Sequence, residues 1–424
     1  MYTNVLNIDE TEEYFGPLYP YVCDDAITDI DYNGTDVWLT NCENSRFKSP
    51  LVLPTDFVEQ FTQRVANSVS KPFHKQSPVL EAETNRLRIT IVHESVAISG
   101  RSICIRKSLP YVRMTEEGML RDGYCSREIL TLLKNCVRAK KNIVFCGEPG
   151  VGKTECAKFF TQYIPDNERI ITVEDTRELH LSDIKGGDCI ELKVNDQMDY
   201  SQAIKTCLRL NPKWMMLSES RSVEVVKLLE GFSTGVHGLT TLHTDDVRKV
   251  PDRILNMSGQ SRNENRMEND IYSFIDLAVL IRRKEYTDSG GNLKVKRFID
   301  QVCFFSRRDH KNYTDMIVED GEILSCGLPD RLREDLSAVG IADPLFDRED
   351  EILRIAAGGL TLTSERGSDE RTRTGEDIMT GGDIMTGDSS FGKNAKNDLI
   401  APNEHTVIGI RERGTYRGYQ AFVG

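Results

Sequence analysis

The hydrophobic pattern of the first quarter of the chain predicts a small α+β domain over residues 21–108. Short strand-like runs alternate with turn residues, and Asn33-Gly34 predicts a tight hairpin turn. In residues 56–70 Phe57, Phe61, Val65 and Val69 recur at every fourth position, which predicts a helix with one apolar stripe. The predicted strands cover residues 27–32, 37–40, 86–92 and 102–107.

From residue 128 onward the pattern changes to helices alternating with short, continuously apolar strands. The expected strands cover residues 143–146, 170–173, 214–217 and 239–242, and helices are expected at 202–210 and 223–232. Strands that are apolar throughout are typical of a sheet buried on both faces. Because strands and helices alternate, we expect an α/β domain with a parallel sheet over residues 127–328, joined to the first domain by a linker at 109–126.

Both ends of the chain differ from these two domains. Residues 1–45 contain ten acidic residues and no Lys or Arg, and we treat residues 1–20 as an acidic segment that lacks the pattern of a secretory signal. Residues 329–424 are rich in Gly, Thr and Ser, and the hexapeptide at 375–380 recurs almost unchanged at 381–386. We expect a largely low-complexity or disordered extension, with a docking peptide as the alternative.

Charge and cysteine usage narrow the class of protein. The net charge is −13, and most of the acidic excess lies at the two ends, so the body lacks the strongly basic footprint of a duplex-DNA reader. The 11 cysteines form no Cys-x-x-Cys pair, which argues against a zinc ribbon or a secreted disulfide framework and favours the cytoplasm. No stretch is apolar enough to span a membrane, so any membrane association is expected to be peripheral.

A phosphate-binding motif lies between the strand at 143–146 and the helix that follows it. It consists of Gly147, Glu148, Pro149, Gly150, Val151, Gly152, Lys153 and Thr154, and it matches G-x-x-x-x-G-K-[ST] in the required strand-to-helix setting. The glycines allow backbone N–H groups to converge on phosphate, and the helix N-terminus favours the same anion. Lys153 is expected to neutralise phosphate charge, and the Thr154 hydroxyl is expected to bind Mg²⁺. The motif therefore predicts ATP and Mg²⁺ binding.

Candidate catalytic residues follow other strands of the same sheet. Glu219 comes directly after the strand at 214–217, and Glu174 and Asp175 follow the strand at 170–173. His243 follows the strand at 239–242. Parallel strands present active-site residues at their carboxyl ends, so these side chains are candidates for orienting water or binding Mg²⁺. At the edges of the last strands of the first domain, the candidates for a nucleotide-contacting arginine are Arg88, Arg101 and Arg106.

Taken together, these motifs resemble the secretion or traffic ATPases of type II and type IV secretion systems and type IV pili. The chain has the four boxes of that family in order: Walker A at 147–154, an Asp box at 171–178, an atypical Walker B at 217–221 and a His box at 238–243. The resemblance covers about residues 20–325. The absence of a tetracysteine zinc subdomain favours the branch that powers conjugative type IV secretion and Tad (Flp) pilus assembly.

The resemblance implies a RecA-like P-loop NTPase domain and a role for each candidate residue. Glu219 matches the catalytic glutamate, Glu174 and Asp175 match acids near Mg²⁺ and water, and His243 matches the histidine that senses the γ-phosphate. The resemblance also implies a homo-hexamer at the cytoplasmic face of the inner membrane, with secretion or pilus platform proteins as partners and macromolecules as cargo. The chain departs from the family pattern at Glu148, Pro149 and Ser218.

Two other functions stay open at this point. One is a hexameric nucleic-acid motor, for which the sequence shows no basic or aromatic-rich groove. The other is a regulatory subunit that binds nucleotide without hydrolysing it. The atypical Walker B motif is consistent with this function.

Overall fold

The computed structural model describes residues 8–346, except residues 44, 196, 220–223, 260–263, 288, 292 and 326. The repeated hexapeptide and residues 347–424 of the predicted low-complexity extension lie outside the described residues.

The N-terminal part of the chain forms a six-stranded antiparallel sheet with the strand order β3-β2-β1-β6-β5-β4. Its strands are β1 (Ile27–Tyr32), β2 (Val37–Asn41), β3 (Arg46–Lys48), β4 (Val79–Glu83), β5 (Leu87–Val92) and β6 (Ser102–Lys107). Alternate side chains of β5 and β6 are buried, as the period of two along a strand requires. Helix α3 (Thr55–Ser68) belongs to the same core through Phe61 and Val65 of the predicted stripe.

The acidic N-terminal segment belongs to this unit. Helices α1 (Glu12–Phe15) and α2 (Tyr19–Cys23) are joined by a 3₁₀ turn, and Ile8, Phe15 and Leu18 are buried in the core of the N-terminal sheet. The predicted boundary at residue 20 therefore falls inside the folded unit, because the apolar side chains between the acidic residues pack against the sheet.

The rest of the described chain forms a nine-stranded sheet with the order β15-β14-β13-β12-β7-β11-β10-β8-β9. Its strands are β7 (Ile143–Cys146), β8 (Ile170–Glu174), β9 (Cys189–Lys193), β10 (Trp214–Leu217), β11 (Leu239–Leu242), β12 (Leu277–Thr287), β13 (Leu293–Arg308), β14 (Lys311–Glu319) and β15 (Glu322–Ile323). Six neighbouring strands in this order, β12-β7-β11-β10-β8-β9, pair in parallel, and four of them, β7, β8, β10 and β11, are predicted from the sequence. The last three strands, β13 to β15, pair antiparallel and make the sheet mixed; like β9 and β12, they are not among the predicted strands.

Helices cover both faces of the larger sheet. Their bounds are α4 (Glu116–Arg121), α5 (Arg127–Arg138), α6 (Lys153–Thr161), α7 (Leu181–Ile184), α8 (Tyr200–Arg209), α9 (Glu224–Ser233), α10 (Val250–Met257), α11 (Glu264–Phe274) and α12 (Asp330–Ala338). Helices α5, α6 and α12 share one hydrophobic core, and α8 to α11 share the other. Successive residues of β7 contribute to opposite cores, which explains its continuously apolar sequence.

Helix α12 extends the folded part of the chain past the predicted boundary at residue 328. Leu332 and Leu336 are fully buried in the core that α5 and α6 share. The Lys141 ammonium lies 2.6 Å from the Asp335 carboxylate and 3.3 Å from that of Asp276, which ties this helix to the start of β12. The first residues of the predicted extension are therefore structural.

The connection between the two sheets is hydrogen-bonded to the larger one. The Ser108 hydroxyl lies 3.0 Å from His180 Nε2 and 3.3 Å from the carbonyl oxygen of Glu178. Lys158 of α6 is fully buried and donates to the carbonyl oxygen of Leu109 at 2.9 Å. Burial lowers the pKa of His180 to about 3, so its imidazole is neutral. Among the described helices, none combines the length and apolarity needed to cross a bilayer.

Candidate active site

The loop between β7 and α6 has the backbone of a phosphate-binding loop. Gly147, Gly150 and Gly152 all have positive φ angles, of 143°, 76° and 94°. A Cβ atom at Gly147 would overlap the carbonyl oxygen of Ile281 on the neighbouring β12, so only glycine fits there. Helix α6 begins at Lys153, and its N-terminal N–H groups and dipole therefore point at the space that the loop encloses.

Lys153 is held inside this loop by three acceptors. Its ammonium group lies 3.1 Å from the carbonyl oxygens of Gly147 and Glu148, and 3.1 Å from His243 Nδ1. The side chain is buried, and burial lowers the pKa of Lys153, while the nearby carboxylate of Glu219 opposes this shift. A phosphate in the loop would offer Lys153 a charged partner in place of neutral acceptors.

His243 and Glu219 complete a chain of contacts that starts at Lys153. His243 Nε2 lies 2.7 Å from Glu219 Oε1. Nε2–H donates to the carboxylate, and Nδ1 lies 3.1 Å from both the Lys153 ammonium and the carbonyl oxygen of Gly147, so it accepts from the first or donates to the second. Strands β10, β11 and β7 are adjacent and parallel, so their carboxyl ends bring these three residues to one edge of the sheet, as predicted from the sequence. Arg221 of the Walker B box lies outside the described residues.

The Asp-box loop brings to Thr154 a further carboxylate that is not among the predicted site residues. The Thr154 hydroxyl lies 3.4 Å from Glu178 Oε2. Burial raises the pKa of Glu178, the charge of Arg106 opposes this, and the carboxylates of Asp175 and Glu219 raise it further. The carboxylates of Asp175 and Glu219 therefore act on Glu178 beside the phosphate-binding loop, and this negative charge favours a bound cation.

Glu174 has a different position from the one predicted for a catalytic acid. It is 3% exposed, and its Oε1 accepts hydrogen bonds from the backbone N–H groups of Glu178 and Leu179, each at 3.1 Å. Burial raises its pKa to about 8. These contacts lie within its own loop, so the geometry assigns Glu174 to holding Glu178 in place.

Among the predicted arginines, the structure brings Arg106 to the site. Arg106 stands at the end of β6 and acts electrostatically on both Lys153 and Glu178. Its guanidinium lies 3.8 Å from the Asp29 carboxylate, and 62% of the side chain is exposed. Arg88 lies directly opposite Arg106 on β5 and is 3.8 Å from Glu81.

Arg101 lies at the other end of β6, five residues or roughly 16 Å along the strand from Arg106. Two of its nitrogens bind the Glu94 carboxylate at 2.8 Å, and its guanidinium lies 5.5 Å from the centre of the Phe73 ring. Within the described chain, Arg101 is therefore committed to the far edge of the N-terminal sheet, and the expectation that it contacts nucleotide does not fit this structure.

The residues around Thr154 fit a magnesium ion. The hydroxyl of Thr154 and the carboxylates of Glu178 and Asp175 are oxygen donors, which this cation prefers. Within the described ranges, no group of three or more His, Cys, Asp or Glu side chains is placed to hold a metal ion by itself. A site with few protein ligands suits Mg²⁺, which keeps several waters and binds substrate phosphates.

The fold and this site define a P-loop protein of α/β architecture, and comparison with known proteins gives its family. The family model for type II/IV secretion system proteins matches residues 79–296, which include the whole phosphate-binding loop, the Asp-box loop and β12. The chain belongs to this family.

Individual relatives are distant. An uncharacterised protein of Bacillus anthracis is 26% identical over 292 residues, which are 66% of this chain and 65% of that protein. The type IV secretion system protein VirB11 of Brucella suis is 25% identical over 314 residues, which are 65% of this chain and 87% of VirB11. The chain thus covers just under two thirds of the Bacillus relative. The ATPase DotB of Yersinia pseudotuberculosis has a similar fold, with a TM-score of 0.53 and 16% identity over 83% of this chain and 88% of DotB.

Proposed function

We propose that this protein is an ATP hydrolase of the type IV secretion kind, with a RecA-like catalytic domain. The observation that carries the proposal is the chain of contacts from Lys153 through His243 to Glu219 at the phosphate-binding loop. It links the residue that would bind the γ-phosphate to the carboxylate that would orient water. The resemblance to VirB11 and to the ATPase DotB supports the same reaction.

In this proposal water attacks the γ-phosphorus in line with the bond to the β-phosphate oxygen, which leaves with ADP. Glu219 orients the water and accepts its proton, and Lys153 stabilises the negative charge that develops on the phosphoryl oxygens. Because Lys153 and His243 now contact each other, a γ-phosphate bound between them would separate the pair and free Glu219 to hold water.

Magnesium would be held by Thr154 and, through water, by Glu178 and Asp175, and it would supply charge neutralisation at the β- and γ-phosphates. Glu174 positions Glu178 through the two backbone hydrogen bonds of the Asp-box loop. Arg106 would approach the γ-phosphate from the N-terminal sheet and add positive charge in the transition state.

At the level of the cell, we propose a homo-hexamer that couples ATP turnover to the movement of macromolecular cargo. The setting would be the cytoplasmic face of the inner membrane, with secretion or pilus platform proteins as partners. The family match supports this assignment. The hydrogen bonds from Ser108 and Leu109 to the catalytic part of the chain would carry nucleotide-dependent changes to the N-terminal sheet.

The test is ATP hydrolysis by the purified full chain, measured as phosphate release. We expect Lys153→Ala to abolish turnover while its circular dichroism spectrum stays that of the wild type. Lys227→Ala, which removes a partly exposed lysine paired with Glu230 on α9, is the matched control and should retain turnover. Unchanged hydrolysis in Lys153→Ala would contradict the proposal.

Two further measurements separate the alternatives. Glu219→Gln should bind ATP and fail to hydrolyse it, whereas a regulatory subunit would bind ATP without turnover even in the wild type. Strong stimulation by single-stranded DNA that declines steeply with salt would identify a nucleic-acid motor instead. If each active site is complete only in the proposed homo-hexamer, dilution of the protein should lower its specific activity.

A further inference from the structure

The hairpin of β12 and β13 carries like charges in direct opposition. Arg283 pairs with Arg297 across the two strands, and Lys284 pairs with Lys296 in the next position. Like charges directly opposite each other destabilise a sheet. The side chains of residues 282–287 are exposed, so this part of the hairpin is not needed to build a core. These basic residues of the hairpin therefore do not stabilise the fold. Binding of an anion explains their position better.

The base of this hairpin lies against the phosphate-binding loop. The carbonyl oxygen of Ile281 occupies the space where a side chain on Gly147 would stand. On the second strand, Arg297 Cδ lies 3.9 Å from the position that a Cβ atom on Gly152 would take. Arg297 is thus the side chain that β13 places beside the last glycine before Lys153.

The guanidinium of Arg297 has only weak compensation for its charge. Its Nη1 donates to the carbonyl oxygen of Cys42 at 3.2 Å. Burial lowers the pKa of Arg297, and the positive charges of Arg283 and Arg113 act in the same direction. Within the described ranges, neither Arg283 nor Arg297 pairs with a carboxylate. The adjacent Arg282, by contrast, lies 2.7 Å from the Asp300 carboxylate.

We propose that Arg297 binds a phosphate of the nucleotide, with Arg283 adding positive charge beside it. This rests on the proposed function, since it adds a residue to the same nucleotide site. Backbone N–H groups of such loops hold the α- and β-phosphates, and the side chain of Arg297 passes Gly152 of the loop, with its Cδ 3.9 Å from the position of a Cβ atom there. A guanidinium matches phosphate oxygens through two parallel hydrogen bonds, which the single carbonyl of Cys42 cannot offer.

Arg106 and Arg297 would then contact different phosphates of the nucleotide. Arg106 comes from the N-terminal sheet and acts on Lys153 and Glu178, where the γ-phosphate would bind. Arg297 comes from the hairpin and stands beside Gly152. Arg297 should therefore contribute equally to ADP and ATP binding, whereas Arg106 should contribute to ATP alone.

The experiment is a fluorescence titration of the full chain with mant-ADP and with a non-hydrolysable mant-ATP analogue. We expect Arg297→Gln to weaken both ligands by roughly 10- to 100-fold, the size of a lost charge-assisted hydrogen bond. Arg106→Gln should weaken the ATP analogue and spare ADP. Arg297→Lys should recover part of the affinity, since it keeps the charge and loses the paired hydrogen bonds. Arg308→Gln, at the far end of β13, is the control and should bind as the wild type does.

The outcomes separate this inference from the proposed function. If the wild type binds neither nucleotide, the proposed function fails. If Lys153→Ala loses binding and Arg297→Gln binds ADP as tightly as the wild type, the function stands and the role of Arg297 is wrong. A thermal melt of each variant shows whether it is folded under the conditions of the titration. If Arg297→Gln unfolds at a lower temperature than the wild type, Arg283→Gln replaces it in the titration. We then expect a smaller loss of affinity for both nucleotides. An unchanged affinity would contradict the proposal.

Discussion

The most informative single substitution is Glu174→Gln, because the sequence assigns this residue to catalysis and the structure assigns it to holding a loop. Its Oε1 accepts from the backbone N–H groups of Glu178 and Leu179, and a glutamine amide oxygen can accept the same two hydrogen bonds. The Asp-box loop should therefore keep its shape. What the variant loses is the proton that Glu174 binds and releases.

The magnitude follows from the pKa of Glu174. Burial raises this pKa from an ordinary value of 4.5 to about 8 in the folded chain. Between these two pH values the folded protein holds a proton that the unfolded chain has released, so the free energy of unfolding falls as the pH rises. At about 1.4 kcal/mol per pKa unit, the total loss due to Glu174 is at most about 5 kcal/mol. The stabilisation is complete below pH 4.5 and is lost as the pH rises through 8.

The assay is urea unfolding of the wild type and Glu174→Gln at several pH values between 5 and 8.5, in parallel with ATP hydrolysis. The difference in unfolding free energy between the two proteins should shift by several kcal/mol in favour of Glu174→Gln as the pH rises. Turnover should stay within a few-fold of the wild type. A difference that is constant with pH would refute the pKa argument, and a loss of turnover as deep as that of Glu219→Gln would refute the positioning role.

Two other predictions concern the metal loop and the C-terminal helix. Glu178→Gln should raise the Mg²⁺ concentration needed for half-maximal hydrolysis about tenfold, because its carboxylate lies beside the Thr154 hydroxyl; an unchanged requirement would remove Glu178 from the metal site. Leu336→Ala should lower the free energy of unfolding by about 2–5 kcal/mol in urea, since its side chain is fully buried. Val339→Ala, at an exposed position, should change it by less than about 0.5 kcal/mol.

Elements that are buried on both faces could be predicted from the sequence, and those that leave the protein body could not. The bounds of β7, Ile143–Cys146, agree with the prediction because each residue packs into a core. The first half of β12, residues 277–281, is apolar and buried between both cores and carries the same signal as β7, although it is not among the predicted strands. The hairpin beyond Ile281 could not be predicted in this way, because β12 is exposed there and has no alternation of polar and apolar positions. Helix α12 was missed because its two buried leucines stand among charged residues.

The site residues that could be predicted from the sequence are those that directly follow a parallel strand or lie in the phosphate-binding loop. Lys153, Glu219 and His243 meet because the ends of adjacent strands share one edge of the sheet. Glu178 ends the Asp box, but it lies four residues beyond β8 in a loop whose shape depends on buried hydrogen bonds, so its place beside Thr154 could not be predicted from the strand pattern. Arg106 and Arg101 could be told apart only once the direction of β6 was known.

The attachment of the interdomain connection has a mechanical consequence. Leu109 is held by Lys158, one helical turn after Thr154, and Ser108 is held by the backbone of Glu178 and by His180. A rotation of the N-terminal sheet would therefore strain helix α6 and the Asp-box loop together. Under the proposed function, a load that resists this rotation would slow hydrolysis directly, and no separate element would be needed to detect a stalled load.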